Sequence, residues 1–393
     1  MKPLALVFVL LLSLPARAGA TSQPPRDQPL RPAVAAGGLV YVTAMGPVDT
    51  SGSVVRGDVR AQTSRVLDNL AALLARHGSR LEQVAAVTVY LRNQADFPAM
   101  NEVYARYWPK NPPTRTTVIV PLMDPEALVE IGMIALSDGA ERRVVQPASW
   151  LRPSSPYSYA VQSGDTLFLS GLLSRNGRDN SVIAGDMKTQ TEAVLNNAAE
   201  ILKAAGMTMA DVVSARVYIT DTATFPEMNA AYRAAFPANP PARATVRAGL
   251  TSPQHLVEIT LLAVRGPGRR TVTTPNADST PGTPNPLLSS AVRLGNRLFL
   301  SGMLGATAAN RGDAAAQTRE ALARIGRTIE AAGFKWVDVV EATVYVPTAA
   351  DLPAVNSAWR EVFSATTPAR TIVEAGLVSP DGRVEIMMTA AKR

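Results

Sequence analysis

The chain has 393 residues, of which 47% are hydrophobic and 18% charged, a composition typical of folded globular proteins and unlike that of disordered or fibrous chains. The length predicts two or three domains. There is no cysteine, and there are two histidines, which excludes disulfides, thiolate chemistry and a Cys/His zinc site. Metal catalysis is therefore not expected.

The net charge of +7 is modest for this length, and the arginines that carry most of it are scattered. A nucleic-acid surface usually has a dense basic run or a basic stripe interleaved with aromatic residues. Neither pattern is present in the sequence. We therefore predict no nucleic-acid partner.

The first twenty residues have the pattern of a signal peptide. Lys2 gives a positive start, residues 4–14 are apolar, and small residues at Ala16-Arg17-Ala18 or Ala18-Gly19-Ala20 offer a cleavage site. The apolar run is too short to span a bilayer, which needs about 20 residues. We expect residues 1–20 to direct export to the periplasm or the medium, with no membrane association after cleavage.

The remaining chain repeats one pattern three times, at offsets of 128 and then 127 residues. We predict three modules: residues 21–138 form module 1, residues 139–266 a linker and module 2, and residues 267–393 a linker and module 3. Each unit begins with a short apolar strand. An aspartate then stands at a helix N-cap position, with a glycine twenty residues later at the matching C-terminal position. These aspartates are Asp58, Asp186 and Asp313, and the glycines are Gly78, Gly206 and Gly333.

The rest of each unit predicts a long strand, a second helix with proline in its first turn, and a final hairpin. The long strands, rich in Val, Thr and Tyr, are 84–91, 212–219 and 339–346. This order predicts the α+β class, with two helices on one face of a mixed sheet. Because several strands are apolar on both sides, we expect the three sheets to pack together as an intramolecular pseudo-trimer, so that the monomer acts as a fused trimer. The segments 137–156 and 266–286 have no periodicity and are interpreted as flexible tethers.

Three polar residues keep the same spacing in every unit. An asparagine is followed fourteen residues later by an arginine, and the arginine fifteen residues later by a glutamate. The asparagines are Asn101, Asn229 and Asn356, the arginines Arg115, Arg243 and Arg370, and the glutamates Glu130, Glu258 and Glu385. The predicted hairpin would place the arginine and glutamate of one unit opposite each other on antiparallel strands.

Two interpretations of these arginine and glutamate residues remain open. They can form a structural cross-strand ion pair, repeated because the unit was duplicated. If they are partly desolvated at a module boundary, the guanidinium can instead hold a planar carboxylate, while the glutamate positions or deprotonates a water molecule. The second interpretation predicts a site for a small organic acid.

The combined motifs resemble those of the Rid family of reactive intermediate deaminases, also called the YjgF family. The residues that carry the resemblance are Ser170-Gly171, Gly185-Asp186 with Gln190, Asn229, Pro241-Ala242-Arg243 and Val257-Glu258-Ile259. The likeness covers all three units. It implies chorismate-mutase-like modules, packed as in the family's homotrimers, with ligand clefts between them. It also implies hydrolysis of 2-imino acids or enamines to 2-keto acids and ammonia, without a cofactor.

The resemblance also implies roles for individual residues. The carboxylate-binding arginine of the family matches the three arginines above, the water-positioning glutamate matches the three glutamates, and the cleft asparagine matches the three asparagines. The family's cleft serine matches Ser170 and Ser301 and becomes Thr43 in the first unit. Its tyrosine matches Tyr157 alone, since Leu30 and Leu288 stand near that place in the other units. Its cysteine is replaced by Thr117, Thr245 and Ile372.

Two other functions are alternatives to deamination. A non-catalytic binder of small carboxylates such as 2-keto acids is suggested by the single matching tyrosine and by a shortened loop before Gln317 in the third unit. Ribonuclease activity has little support, because the sequence offers no histidine pair and no basic track.

Overall fold

The computed structural model describes residues 31–364 and 367–392; the predicted signal peptide and Leu30 lie outside them. The described residues form three modules of one α+β design, and each module has a mixed sheet with two helices packed on one face. This arrangement confirms the predicted fold class. No helix in this part of the chain combines the length and apolarity needed to cross a bilayer.

Module 1 contains five strands and two helices, and its sheet has the order β1-β2-β5-β3-β4 before a strand of module 2 extends it. Its elements are β1 (Ala33–Ala36), β2 (Leu39–Met45), α1 (Val59–Arg76), β3 (Val84–Leu91), α2 (Phe97–Tyr107), β4 (Thr114–Ile119) and β5 (Val129–Leu136).

Module 2 repeats this design and adds two strands, one before β7 and a two-residue strand between β10 and β12. Its elements are β6 (Arg143–Val145), β7 (Ala160–Ser163), β8 (Thr166–Leu169), α3 (Met187–Ala204), β9 (Val212–Ile219), α4 (Phe225–Ala235), β10 (Ala242–Arg247), β11 (Gly249–Leu250) and β12 (Val257–Val264).

Module 3 has the same order, with one further short strand after β15. Its elements are β13 (Arg270–Val272), β14 (Ala291–Leu294), β15 (Arg297–Leu300), β16 (Met303–Leu304), α5 (Ala314–Ala331), β17 (Val339–Val346), α6 (Leu352–Val362), β18 (Ala369–Glu374), β19 (Gly376–Leu377) and β20 (Glu385–Ala391).

The first helix of each module begins and ends where the sequence predicts. The side chain of Asp58 accepts a hydrogen bond from the Ala61 N–H at 3.0 Å, and the equivalent aspartates of α3 and α5 make the same N-cap bond. The glycine after each helix has a φ between 69° and 75°, which a residue with a side chain rarely adopts. These local signals fix where each helix begins and ends.

The predicted hairpin between the arginine strand and the glutamate strand is wrong. Strand β4 pairs with β3 in parallel, Val87 opposite Arg115, and β5 pairs with the other edge of β3. The same order recurs in modules 2 and 3. The long strand is buried on both faces and occupies the sheet centre, and α2 provides the crossover that a parallel pair requires. Arginine and glutamate of one module therefore stand two strands apart.

The linkers are not free tethers. Residues 143–145 and 270–272 add an antiparallel edge strand to the sheet of the module that follows. Arginines next to these strands hold the linker on the preceding module: Arg142 donates to the Val84 carbonyl at 2.9 Å, and Arg269 donates to the Val212 carbonyl at 3.2 Å. The linkers thus restrict how consecutive modules can lie against each other.

The modules pack around a common apolar core to which all three sheets contribute. Tyr90, Tyr218 and Tyr345 occupy equivalent positions in the long strands and are buried together there. Strands also cross module boundaries, because β11 pairs with β4 of module 1, and β19 with β10 of module 2. The packing is a pseudo-trimer within one chain.

One ion pair breaks the threefold symmetry of this packing. Arg216 of module 2 lies 3.1 Å from Glu341 of module 3, both largely shielded from solvent, in a small cavity lined by all three modules. Threonines stand at the positions that match Arg216, namely Thr88 and Thr343. Three identical modules could not form a single pair of this kind, so it distinguishes one module boundary from the others.

We predict that Glu341→Ala lowers the free energy of unfolding by about 3 kcal/mol, because it leaves the Arg216 guanidinium shielded without its partner. Equilibrium urea denaturation measures this change. The control is Glu361→Ala, which breaks the exposed pair with Arg319 and should leave stability nearly unchanged. Equal effects of the two substitutions would contradict the stabilising role assigned to the pair between Arg216 and Glu341.

Candidate functional site

The three arginines occupy the second position of equivalent strands, and each guanidinium lies over an aromatic ring of the second helix of its own module. The distances from the guanidinium carbon to the ring centre are 4.9 Å for Arg115 over Tyr104, 4.6 Å for Arg243 over Tyr232 and 4.8 Å for Arg370 over Trp359. Arg115 is 5% exposed and Arg243 2%. The ring stabilises the cation by a cation–π interaction at a place from which water is largely excluded. Burial lowers the pKa of all three arginines.

Each arginine faces a glutamate of another module, and not the glutamate of its own module as the hairpin model predicted. Arg115 and Glu258 share a cavity between modules 1 and 2, which we call cleft A. Arg243 interacts electrostatically with Glu385 between modules 2 and 3, cleft B. Arg370 and Glu130 share a cavity between modules 3 and 1, cleft C.

In cleft A, Ser170 joins the two modules behind the arginine. The backbone N–H of Arg115 donates to Ser170 Oγ at 2.9 Å, and this hydroxyl donates to the Ser158 carbonyl at 2.7 Å. The Gly171 N–H donates to the Arg115 carbonyl at 3.1 Å. Since the Ser170 hydroxyl is fully buried and committed to these bonds, it positions Arg115 and does not point freely into the cavity.

The carboxyl group of Glu258 docks on the backbone of module 1. The N–H of Thr117 donates to Glu258 Oε1 at 3.2 Å. A methyl group at Gly171 would lie 1.9 Å from the same oxygen, so only glycine leaves room for the docked carboxyl. Burial raises the pKa of Glu258 to about 8, against smaller opposing effects of the Thr117 N–H and Arg115. At neutral pH this group therefore holds a proton.

The remaining walls of cleft A form a small polar cavity of about 70 Å³. Tyr157 lies on one side, its ring centre 5.9 Å from the Arg115 guanidinium carbon, and burial raises the pKa of its hydroxyl above the ordinary value. Arg175 and Asn180 lie on another side. The Nη1 atom of Arg115 is buried without a hydrogen-bond partner in the described part of the chain. An unpaired buried donor of this kind suits a ligand carboxylate.

Cleft B repeats the backbone arrangement of cleft A. Ser301 Oγ accepts from the Arg243 N–H at 2.8 Å, and the Thr245 N–H bonds the carboxyl of Glu385. Burial raises the pKa of Glu385 to about 8. Here Asn229 Oδ1 accepts from Arg243 Nη2 at 2.8 Å, so part of the guanidinium is already paired.

Cleft C departs from this arrangement. Thr43 donates its hydroxyl to the Arg370 carbonyl at 2.5 Å, and the Ala44 N–H donates to Thr371 Oγ1 at 2.9 Å. Within residues 31–364 and 367–392, Ile372 makes no backbone bond to Glu130. Burial, together with the charge of Asp124, raises the pKa of Glu130 to about 7. The cavity is larger, about 330 Å³.

Four of the predicted site residues have a buried side-chain oxygen that lacks a hydrogen-bond partner among the described residues. These are the Oδ1 atoms of Asn101 and Asn356 and the hydroxyls of Thr117 and Thr245. Asn229 is thus the one asparagine of the three that is bonded to its arginine. No group of His, Asp or Glu side chains in the described chain could hold a metal ion.

A family model described as Endoribonuclease L-PSP matches residues 21–137, 148–265 and 280–392, which together make up most of the chain. The chain belongs to this family. It carries three tandem copies of the Rid-type module, as the sequence motifs predicted.

Two curated relatives of this family are similar to a single module. A RutC family protein of Sulfurisphaera tokodaii is 39% identical over 115 residues, which are 29% of this chain and 92% of that protein. The 3-aminoacrylate deaminase RutC of Acinetobacter baylyi is 42% identical over 113 residues, 28% of this chain and 90% of that protein. Enamine deamination therefore occurs within the family.

One solved structure is similar across nearly the whole chain. A chorismatase structure covers 91% of this chain and 100% of that protein, with a TM-score of 0.53 and 17% sequence identity. At this identity the likeness concerns the fold alone.

The motifs of this Rid-family chain do not include the aromatic residues under the guanidinium groups. Tyr104, Tyr232 and Trp359 each precede the arginine of their module by eleven residues, and this equal spacing was available as a signal. Arg175 was also missed, because modules 1 and 3 have no arginine at the matching position. A residue that occurs in one unit cannot be found by comparing units.

We predict that the stability difference between the wild type and Glu258→Gln depends on pH. A carboxyl with a raised folded-state pKa favours folding below its ordinary pKa of 4.5, and this contribution is lost as pH rises towards about 8. Over this pH window the free energy of unfolding of the wild type should fall by about 1 kcal/mol per pH unit relative to that of the variant. Urea denaturation at several pH values measures it.

Glu130→Gln serves as the comparison, because its window ends near pH 7 and not near pH 8. Parallel stability curves for the wild type and both variants would contradict the raised pKa values.

We predict that Gly171→Ala destabilises the protein by about 1 to 3 kcal/mol, because the new methyl group and the docked Glu258 carboxyl cannot occupy the same space. The matched control is Ala44→Gly in cleft C, which adds backbone freedom without a clash and should cost less than about 1 kcal/mol. Thermal and urea unfolding measure both. Full stability of Gly171→Ala would show that Glu258 is not held against that glycine.

Proposed function

We propose that this protein hydrolyses reactive 2-imino acids, or the enamines that tautomerise to them, to 2-keto acids and ammonia in the clefts between its modules. The observation that carries the proposal is the pairing, in cleft A, of an unsatisfied buried guanidinium with a protonated carboxyl from the next module. Enamine deamination by a family member supports the same reaction class.

Arg115 binds the substrate. Its free Nη1 donates to the carboxylate of a 2-imino acid, and the charge-assisted bond fixes the acid next to the rings of Phe97 and Tyr157, which line the same cavity. The carboxylate replaces the missing partner of the cation, so binding removes an unfavourable unpaired donor.

The reaction then needs a water molecule and a proton for the nitrogen. Water oxygen adds to the imine carbon and gives a carbinolamine; the nitrogen takes a proton, the C–N bond breaks, and the carbonyl forms as the hydroxyl proton leaves. Glu258, protonated near neutral pH, lies in the same cavity as Arg115 and serves as the proton donor. Its carboxylate form then accepts the hydroxyl proton. For an enamine, a proton added to Cβ and a proton lost from the nitrogen give the imine first.

This chemistry requires few groups. Imines hydrolyse in water, so the barrier that the protein must lower is small, and orientation plus one proton donor is sufficient. No side-chain nucleophile and no cofactor takes part in the proposed steps.

The three clefts contribute unequally. Cleft A has the tyrosine, whereas in cleft B Asn229 already occupies one amino group of Arg243 and leaves Nη1 and Nε without a partner among the described residues. We therefore assign the highest activity towards small substrates to cleft A. The N-terminal pattern supports the further proposal that the protein acts after export.

We predict that the triple variant Arg115→Ala, Arg243→Ala, Arg370→Ala loses deaminase activity, and that Arg115→Ala alone lowers kcat/KM for a small imine by about 10- to 100-fold, the value of a charge-assisted hydrogen bond. The substrate is the imine that an amino-acid oxidase generates from alanine, and coupled ammonia release is measured.

Arg319→Ala is the charge-matched control, since Arg319 forms an exposed pair away from the clefts. A triple variant as active as the wild type would refute the proposal. Tight binding of 2-keto acids by the wild type with no accelerated ammonia release would assign the clefts to binding alone.

A further inference from the structure

We propose that cleft C selects acids with a bulky apolar side chain, whereas cleft A selects short or polar ones. The part of this inference that concerns turnover rests on the proposed function, but the binding preference does not. Because the modules are fused, one chain can hold two sites that differ in side-chain specificity, each built around an equivalent arginine.

The equivalent wall positions of the two clefts differ in polarity. Arg175 of cleft A corresponds to Val48 in cleft C, and Thr251 corresponds to Met123. Thr117 likewise corresponds to Ile372. Each change replaces a polar or charged side chain by an apolar one, and all three apolar residues line the cleft C cavity. Arg31 also lines this cavity, but the three apolar side chains offer a charged or strongly hydrated substituent no partner, whereas they desolvate an alkyl group.

The backbone of module 1 opens cleft C. At the boundaries that form clefts A and B, the two-residue strands 249–250 and 376–377 pair with the arginine strand of the preceding module. In module 1 the position equivalent to Gly249 is Pro121, which has no N–H to donate, and residues 120–122 form no strand. The arginine strand β18 therefore has no such pairing strand from module 1 along its edge.

Ala44 contributes to the same opening. It stands where clefts A and B have Gly171 and Gly302, whose missing methyl groups leave space for the docked glutamate. A methyl group is present at Ala44, and Glu130 does not dock on the facing backbone as Glu258 does. The difference accounts for a cavity of about 330 Å³ in cleft C against about 70 Å³ in cleft A.

Cleft C keeps the groups that an acid requires. Arg370 Nη1 is buried without a hydrogen-bond partner in the described chain, and the guanidinium lies over Trp359. Burial, and then the charge of Arg360, lowers the pKa of Arg370 to about 10, so it remains a cation at neutral pH. An acid held there by its carboxylate would extend its side chain towards Met123 and Val48.

Calorimetry with two 2-keto acids tests the preference without requiring turnover. The variant Arg115→Ala, Arg243→Ala keeps the arginine of cleft C, and the variant Arg243→Ala, Arg370→Ala keeps that of cleft A. We expect the first to bind 4-methyl-2-oxopentanoate about tenfold or more tightly than pyruvate, the range that a few buried methyl and methylene groups provide. The second should bind pyruvate at least as tightly as the branched acid.

A second set of variants keeps all three arginines, so that the test does not depend on the stability of the arginine variants. Val48→Arg, Met123→Thr, Ile372→Thr gives cleft C the wall of cleft A, and we expect it to lose the tight site for the branched acid while pyruvate binding remains. Val337→Thr, which changes an exposed apolar residue, is the control and should retain that site.

The inference is overturned if the variant that retains Arg370 binds both acids equally, or if the converted cleft still prefers the branched acid. Ammonia release from the imines of alanine and leucine is measured on the same variants. A binding preference without ammonia release would refute the proposed function and leave the inference intact. Ammonia release with equal rates and equal affinities would refute the inference and leave the proposed function intact.

Discussion

The proposed chemistry of this protein depends on a buried guanidinium whose facing carboxyl belongs to another module. Arg115 is held by its own module, through the ring of Tyr104 and the sheet, while Glu258 and Tyr157 come from the next. Neither module alone would exclude water from the cation or raise the pKa of the carboxyl, because both effects are produced by burial at the boundary. The site therefore exists only as long as the modules remain packed.

Local structure could be predicted from the sequence almost completely. Asp58 with Gly78 bounds the first helix, and the Val, Thr and Tyr content of residues 84–91 identifies the central strand, because capping, φ preferences and β propensity act over a few residues. The pseudo-trimer was predicted from strands that are apolar on both sides, and the family resemblance implied the same packing. The linkers were misjudged because 143–145 is too short to show periodicity and becomes a strand only by pairing with a neighbouring sheet.

The pairing of arginine with glutamate could not be predicted from spacing. All three arginines and glutamates repeat with one period, so a partner in the same unit and a partner in the next unit are equally consistent with the sequence. Sheet order decides between them. The long strand lies between the arginine strand and the glutamate strand, and this separation directs each arginine away from its own glutamate. With a short hairpin loop, β4 and β5 would be neighbours, and each arginine would face the glutamate of its own module. Instead, nine residues connect β4 and β5, and they cross over the central strand.

Fusion removes a constraint that identical subunits obey. In a symmetric trimer, a substitution at one boundary occurs at all three, so a proline at the position of Pro121 would remove the short pairing strand from every cleft. In the fused chain it affects one boundary, while β11 and β19 still close the other two. The single ion pair between Arg216 and Glu341 has the same origin, since a threefold copy would place three arginines and three glutamates around one small cavity. Stability can therefore be retained at two boundaries while the third is free to widen, and this is the physical condition under which one chain can acquire clefts of different specificity.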